Sequence, residues 1–100
     1  MANVLAEIKM SDGGKGLVFF CPGCGYYHHF IVEQGSDKSK PLWTWNGDME
    51  KPTFSPSLGV NMAMSEHRCH SFVRNGQIEY LTDSFHSLAG QTVAMQEIDW

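Results

Sequence analysis

Three cysteines are the residues of this sequence with the most distinctive chemistry. Two of them, Cys21 and Cys24, belong to the segment CPGCG at 21–25, and Cys69 follows much later in a histidine-rich stretch. In such a turn the proline fixes one backbone angle and the glycines permit positive ones, so two thiolates can converge on one tetrahedral cation. The pattern is typical of a zinc knuckle and predicts zinc as the cofactor.

A zinc site normally needs four ligands, so one of the histidines is expected to join the three cysteines. His86 is the first choice, because a short turn after a hairpin strand can carry its side chain back over the sheet end. His70 is the second choice, if a bulge at Cys69 interrupts the strand, and His28, four residues after Cys24, is the third. The predicted ligand set is therefore Cys21, Cys24, Cys69 and His86.

The alternative for the cysteine pair is a redox Cys-x-x-Cys motif of the thioredoxin type. That motif normally opens a helix, whereas the β-prone segment 26–32 follows Gly25 here. A disulfide framework is also disfavoured, because the cysteine count is odd and the N-terminal residues lack the basic and long apolar regions of a signal peptide. Reduced thiols bound to a metal fit these features better.

The composition restricts the functional classes further. The formal charge of −4 argues against a broad nucleic-acid surface, which needs clustered lysine and arginine. No apolar run approaches the roughly 18 to 20 residues of a membrane-spanning helix. A chain of 100 residues is the size of one domain, so the sequence predicts a single cytoplasmic domain over residues 1–100.

Most segments of the chain favour β-structure. The clearest hairpin joins 69–74 to 77–81 through Asn75-Gly76, a dipeptide that favours a type I′ turn. Strand alternation then places Cys69 and His70 on opposite faces, so they are not expected to bind one metal together. The strands predicted at 17–20 and 26–33 form a hairpin with the knuckle at its tip. The other predicted strands are 3–9, 42–45, 59–64 and 91–98.

Two other segments differ from this pattern. Residues 51–58 carry prolines four positions apart, which a central strand does not accommodate, so they are predicted to be an edge strip. Residues 82–90 predict a short helix, with Asp83 or Ser84 as its N-cap and Gly90 at its C-terminus. The expected fold is mainly β, a small α+β domain: a single zinc-stabilised antiparallel sheet or partly closed barrel, with the knuckle hairpin and one short helix.

A second group of residues is a candidate for a common cleft, and its polar or amphipathic members are Trp45, Asp48, Ser55, Ser57, His70 and Gln91. A structural interpretation is favoured: 46–48 makes a turn, the serines beside prolines satisfy backbone groups, and the tryptophans fill the core or a face. No nucleophile elbow, P-loop or His-Glu-x-x-His motif is present. No catalytic residue is therefore assigned, and Trp45, Asp48 and His70 are retained as predicted binding residues.

Five motifs, taken in order, resemble those of a family of small phage and prophage proteins of unknown function. They are CPGCG (21–25), WTWNGD (43–48), KPTFSPSL (51–58), CHSF (69–72) and HSLAGQTV (86–93). The resemblance implies a phage origin and a metal site, and it supplies no established reaction. Members often carry the label "ammonia monooxygenase", although that enzyme is a membrane copper protein and this chain has no span for a membrane.

A more distant likeness links the cysteine-rich turn and the Cys69 hairpin to small proteins found beside bacterial ubiquitin-like conjugation genes. The first functional hypothesis is nevertheless a phage-encoded, zinc-stabilised binding module in the cytoplasm of a bacterial host. It would contact a host or phage protein, as an inhibitor of a host defence system, rather than act as an enzyme. Small size, acidic charge and exposed-looking segments at 43–45 and 53–56 favour it.

The second hypothesis is a small metal-dependent hydrolase. Its zinc would keep an open position for water, and His70 or Asp48 would be the general base. The third is nucleic-acid binding through the knuckle, which the charge balance disfavours.

Overall fold

The computed structural model describes residues 3–98, and the four terminal positions of the domain predicted over 1–100 lie outside the described residues. Residues 3–98 form nine strands and no helix, so the prediction of a mainly β fold is confirmed. Within that range no helix has the length and apolar character needed to cross a membrane. The strands are β1 (Ala6–Lys9), β2 (Lys15–Cys21), β3 (Tyr26–Glu33), β4 (Thr44–Trp45), β5 (Phe54–Ser55), β6 (Leu58–Val60), β7 (Cys69–Arg74), β8 (Gln77–Tyr80) and β9 (Thr92–Ala94).

The first sheet is an antiparallel meander in the order β1-β2-β3. Its central strand, β2, is buried at every position from Gly16 to Phe19, as expected for a strand with neighbours on both sides. Cys21 pairs with Tyr26 where β2 and β3 meet, so the predicted hairpin is confirmed and the knuckle forms its tip. The sheet therefore delivers two cysteines to one end of the domain.

The largest sheet has four antiparallel strands in the order β6-β7-β8-β9. Asn75 and Gly76 connect β7 to β8 with φ angles of 49° and 75°, the two positive values that a type I′ turn requires. Burial alternates along β7, so that Cys69 faces the core while His70 is half-buried on the other face. The predicted hairpin and the opposite orientation of these two residues are both confirmed.

Aromatic side chains join the first sheet to β5, and the same buried core includes Leu58, Val73 and Ile78 of the four-stranded sheet. Phe30 of β3 stacks on Phe54 of β5 with ring centroids 3.9 Å apart and planes 5° from parallel. Phe19 of β2 stacks against the same Phe30 at 5.6 Å. All three rings are at most 1% exposed, and rings of this size bury more apolar surface than any aliphatic side chain.

The prediction of a single sheet or partly closed barrel is wrong, because residues 3–98 form three separate sheets and no closed barrel. The third sheet contains only β4 and β5, which pair over two residues. Pro52 and Pro56 flank β5, and proline has no N–H group for a strand ladder, so the pairing ends on both sides.

The predicted helix at 82–90 is also wrong. This segment folds as consecutive turns, closed by bonds from Ser84 N–H to Leu81 C=O (3.1 Å) and from Ala89 N–H to His86 C=O (3.1 Å). These bonds span three residues, whereas an α-helix repeats bonds that span four. The side chains expected to cap the helix bond to His70 instead, as described below.

Candidate functional site

Four residues bring metal-binding atoms together at the knuckle. One ligand atom each from Cys21, Cys24, His28 and Cys69 lies within 4.8 Å of all the others. The Sγ atoms of Cys21 and Cys69 are 3.9 Å apart, close to the edge of about 3.8 Å that Zn–S bonds of 2.3 Å give in a tetrahedron. This Cys₃His cluster has the donor types and the spacing to hold a metal ion, in agreement with the metal-binding prediction.

The local structure of the knuckle follows from its sequence. Gly25 adopts φ +81°, and its N–H donates to Cys21 C=O at 2.8 Å, which closes the turn. The N–H of Cys24 points at Cys21 Sγ over 3.4 Å. The turn thus places both sulfur atoms on the same side of the hairpin tip and directs a backbone donor at one of them.

The three thiols compete for negative charge. A hydrogen bond from Cys69 lowers the pKa of Cys21 to about 3, and a hydrogen bond from Tyr80, whose hydroxyl oxygen is 3.0 Å from the sulfur, adds to this effect. Burial raises the pKa of Cys24 to about 11. The hydrogen bond to Cys21 and burial also raise the pKa of Cys69. A divalent cation would favour the thiolate form of all three, since its charge compensates theirs.

The imidazole of His28 provides a second observation on whether this cluster suits a metal ion. The residue is 4% exposed, and its Nε2 atom, like Nδ1 of the neighbouring His86, is buried without a hydrogen-bond partner among the described residues. A buried ring nitrogen without a partner is costly, so its occurrence beside three thiols favours an ion in this cluster.

His86, the first choice from sequence, lies next to the cluster and outside the group of four. Its Nε2 atom is 3.5 Å from Cys69 Sγ. The ring packs directly on Gly23, where any Cβ would come within 2.3 Å of the His86 ring. The structure therefore brings together the three predicted cysteines with His28, the third choice, and places His86 over one of the sulfur atoms.

A second cluster lies on the opposite face of β7. Ser57 Oγ is 3.1 Å from His70 Nε2, and His70 Nδ1 is 3.3 Å from both carboxylate oxygens of Asp83. A carboxylate only accepts hydrogen bonds, so Nδ1 carries the proton and Nε2 is free to accept the serine hydroxyl proton. These three residues have the connectivity of a Ser-His-Asp catalytic triad.

Three different elements position this triad. His70 lies in β7, Ser57 directly precedes β6, and Asp83 lies in the turns that follow β8. Ser84 fixes the backbone of the histidine from both sides: its hydroxyl accepts the His70 N–H at 3.1 Å and donates to the His70 C=O at 3.0 Å. Ser57 and His70 are both half-buried, so the serine and the histidine are within reach of a substrate.

The model of one protein family matches residues 2–81 of the chain, and its description is "Bacterial ubiquitination-like system serine protease (BubE)". The chain belongs to the BubE family. The match includes Ser57 and His70 and ends two residues before Asp83. Comparison with curated proteins and with solved structures finds no match.

Trp45, Asp48 and Gln91, three other residues of the possible cleft in this BubE-family chain, do not join the triad through any described hydrogen bond. Trp45 Nε1–H donates to Asp48 C=O at 3.2 Å, and the Asp48 carboxylate accepts the N–H groups of Glu50 and Lys51. Gln91 donates to the backbone of Ser87. These contacts are those of turns, as the structural interpretation expected.

Sequence reasoning included Ser57 and His70 among the residues of a possible cleft and missed Asp83. Consecutive members of the triad are 13 positions apart along the chain, so no local motif contains two of them. One signal was available: His70 is the second residue of the hairpin's first strand, and Asp83 comes three residues after its second strand, so the hairpin brings the two to the same end. The N-cap interpretation of Asp83 concealed that signal.

Proposed function

We propose that this protein is a serine peptidase in which Ser57 is the nucleophile, His70 the general base and Asp83 the residue that orients the histidine. The observation that carries the proposal is the continuous pair of contacts from Ser57 Oγ to His70 Nε2 and from His70 Nδ1 to Asp83. The family description, which names a serine protease, supports the same reaction.

The reaction would proceed by acyl transfer. Ser57 Oγ attacks the carbonyl carbon of a peptide bond while His70 Nε2 takes the hydroxyl proton. Asp83 holds the imidazole in the required tautomer and stabilises the imidazolium that forms. His70 then returns the proton to the leaving amine, and a water molecule, deprotonated by the same nitrogen, hydrolyses the acyl-enzyme and releases Ser57.

We propose a structural metal in the same protein, with zinc as the ion and Cys21, Cys24, Cys69 and His28 as its ligands. A closed structural zinc site contributes folding free energy on the order of 10 kcal/mol when the metal binds. Four protein ligands leave no position for a water molecule, which favours Ser57 over a metal-bound water as the reactive group. The open-site zinc hydrolase is thereby disfavoured as an alternative.

The family description also names a bacterial ubiquitination-like system, and on that basis we propose that the substrate is a protein of such a system. The phage-encoded inhibitor of a host defence system stays a prediction from sequence. The two ideas differ in a simple way, because an inhibitor that acts by contact alone does not require the Ser57 hydroxyl.

Labelling with a fluorophosphonate probe tests the proposed function. The reagent phosphonylates a serine only when a neighbouring base activates it, so wild-type protein should be labelled on Ser57, as located by peptide mass spectrometry. Ser57→Ala should abolish labelling, and His70→Gln or Asp83→Asn should slow it by about 10²- to 10⁴-fold.

Ser55→Ala is the matched control, since Ser55 is an exposed serine only two residues from the nucleophile. Its labelling rate should equal that of wild type. Unlabelled wild-type protein, or labelling that survives Ser57→Ala, would contradict the proposal.

A further inference from the structure

A groove of about 730 Å³ runs between the first sheet and the four-stranded sheet. One wall comes from β3, with Tyr26, His28 and Ile31, and the other comes from β6. Residues from both faces of β6 line it, since Leu58 and Val60 point to one face and Gly59 to the other. The groove therefore follows the edge of this strand rather than covering one face of it.

The β6 wall of the groove continues directly from Ser57, although the three triad side chains are not among the residues that line it. Ser57 directly precedes Leu58, the first residue of the β6 wall. Gly59 is the cross-strand partner of His70, so the lining continues to the backbone opposite the proposed base. Trp43, which also lines the groove, donates its indole N–H to Ser57 C=O at 3.3 Å and fixes the groove relative to the nucleophile.

The β6 edge of the groove is open. Among residues 3–98, β6 has a ladder neighbour on one side only, β7, so alternate N–H and C=O groups point away from the sheet. The β3 edge is already used in part, because Trp43 N–H donates to Ile31 C=O at 2.9 Å. A strand entering the groove would thus find hydrogen-bonding groups on β6 and apolar or aromatic surface on β3.

We infer that this groove binds the substrate as an extended polypeptide that adds a strand to the edge of β6, with apolar side chains at alternate positions entering the groove. The inference rests on the proposed function, because a peptidase must seat a peptide chain across Ser57. Strand addition supplies backbone hydrogen bonds for affinity, and side-chain pockets on one side supply selectivity. The substrate class is an unfolded tail or loop, since a segment that enters a groove between two sheets must be free of sheet neighbours of its own.

Backbone N-methylation tests the inference with the wild-type protein. A library of internally quenched random octapeptides is screened for cleavage, and the best substrate is resynthesised with one N-methyl amide at each position in turn. Strand addition predicts that methylation at alternate positions raises KM at least tenfold, whereas methylation at the intervening positions changes it less than twofold. A uniform effect along the peptide would overturn the inference.

The same peptides bound to Ser57→Ala protein give a measurement that does not depend on the reaction. Hydrogen exchange should slow at the backbone amides of β6 and stay unchanged in β9, the opposite edge of the same sheet. Equal slowing of exchange in β6 and β9, or no slowing in either strand, would overturn the inference that peptides bind along β6. Ser57 could react with the fluorophosphonate while no library peptide is cleaved and none protects β6. That result would overturn the inference that the groove binds the substrate and would leave the proposed function standing.

Discussion

Cys69 and His70 are consecutive residues of β7 whose side chains leave the strand on opposite faces. The first belongs to the buried Cys₃His cluster, and the second contacts Ser57 and Asp83 on the other face. A metal bound to Cys69 would therefore fix the strand that carries the proposed base without touching a substrate. His70 is one peptide unit away from Cys69, so its position depends on how the cluster holds that cysteine.

This relationship predicts that the metal supports activity without taking part in the reaction. Protein stripped of metal with a chelator should lose both stability and fluorophosphonate reactivity, because the start of β7 is no longer held. Zinc, cobalt and cadmium should each restore labelling of Ser57 to a similar rate, within about threefold, since all three accept tetrahedral thiolate ligands. Labelling rates of the reconstituted proteins, with circular dichroism as a measure of folding, check this.

The contrary outcome is as clear. If all three metals restore the fold and only one restores labelling, the ion acts in the chemistry and its site is not merely structural. Cys24→Ser should behave as the stripped protein does in every metal, because it lacks one of the four ligands.

A second prediction separates the two histidines beside the sulfur atoms. His28→Ala should remove the nitrogen ligand from the metal's coordination shell and lower zinc affinity by at least about tenfold. His86→Ala should keep three sulfur atoms and one nitrogen, because its ring lies over Cys69 from outside the group of four. X-ray absorption on the zinc-loaded variants distinguishes these outcomes, with the exposed His67→Ala as control. A nitrogen lost in His86→Ala and kept in His28→Ala would reverse the assignment.

The sequence predicts the parts of this fold that local chemistry determines. Asn75-Gly76 specified a hairpin with both positive φ angles, and the CPGCG turn specified the tip of another. The same reasoning identifies His28 as a neighbour of Cys21. Cys21 pairs with Tyr26, and side chains two residues apart share a face, so His28 had to point to the same side as Cys21.

The errors arose where tertiary contacts took side chains away from local structure. Asp83 and Ser84 have the composition of a helix N-cap, yet both use their side chains on His70, one on the ring and one on the backbone. The segment that follows then folds as turns. The triad was missed for the same reason, since its members meet only after β6, β7 and β8 have paired.

A third prediction concerns the loop after β4. The Asp48 carboxylate accepts the N–H groups of Glu50 at 2.8 Å and Lys51 at 3.1 Å, and these bonds lower its pKa from the ordinary 3.8. A carboxyl with a lowered native pKa stabilises the fold above its unfolded pKa and loses that contribution as the pH falls through the native value. Asp48→Ala should therefore be less stable than wild type at pH 7, and the difference should narrow below about pH 4.

Urea unfolding at pH 7, 5 and 3 measures this difference. Asp48→Asn is the matched control, because it keeps an oxygen acceptor but has no charge to lose. Its free energy of unfolding should lie between those of the other two proteins at pH 7. A difference between Asp48→Ala and wild type that is constant with pH would show that the charge of this carboxylate contributes nothing.

The last prediction concerns Ser84, whose buried hydroxyl bonds to both the N–H and the C=O of His70. Ser84→Ala should lower the labelling rate of Ser57 by about 10- to 100-fold, because the imidazole loses the backbone support that aligns it with the nucleophile. Ser84→Thr, which keeps the hydroxyl, should recover much of the rate.

Ser87→Ala, in the exposed part of the same turns, should leave the rate unchanged. The measurement is made well below the thermal unfolding midpoint of each variant, so that loss of fold does not imitate loss of alignment. If Ser84→Ala is less stable but labels at the wild-type rate while folded, the hydroxyl holds the turn together and does not position His70.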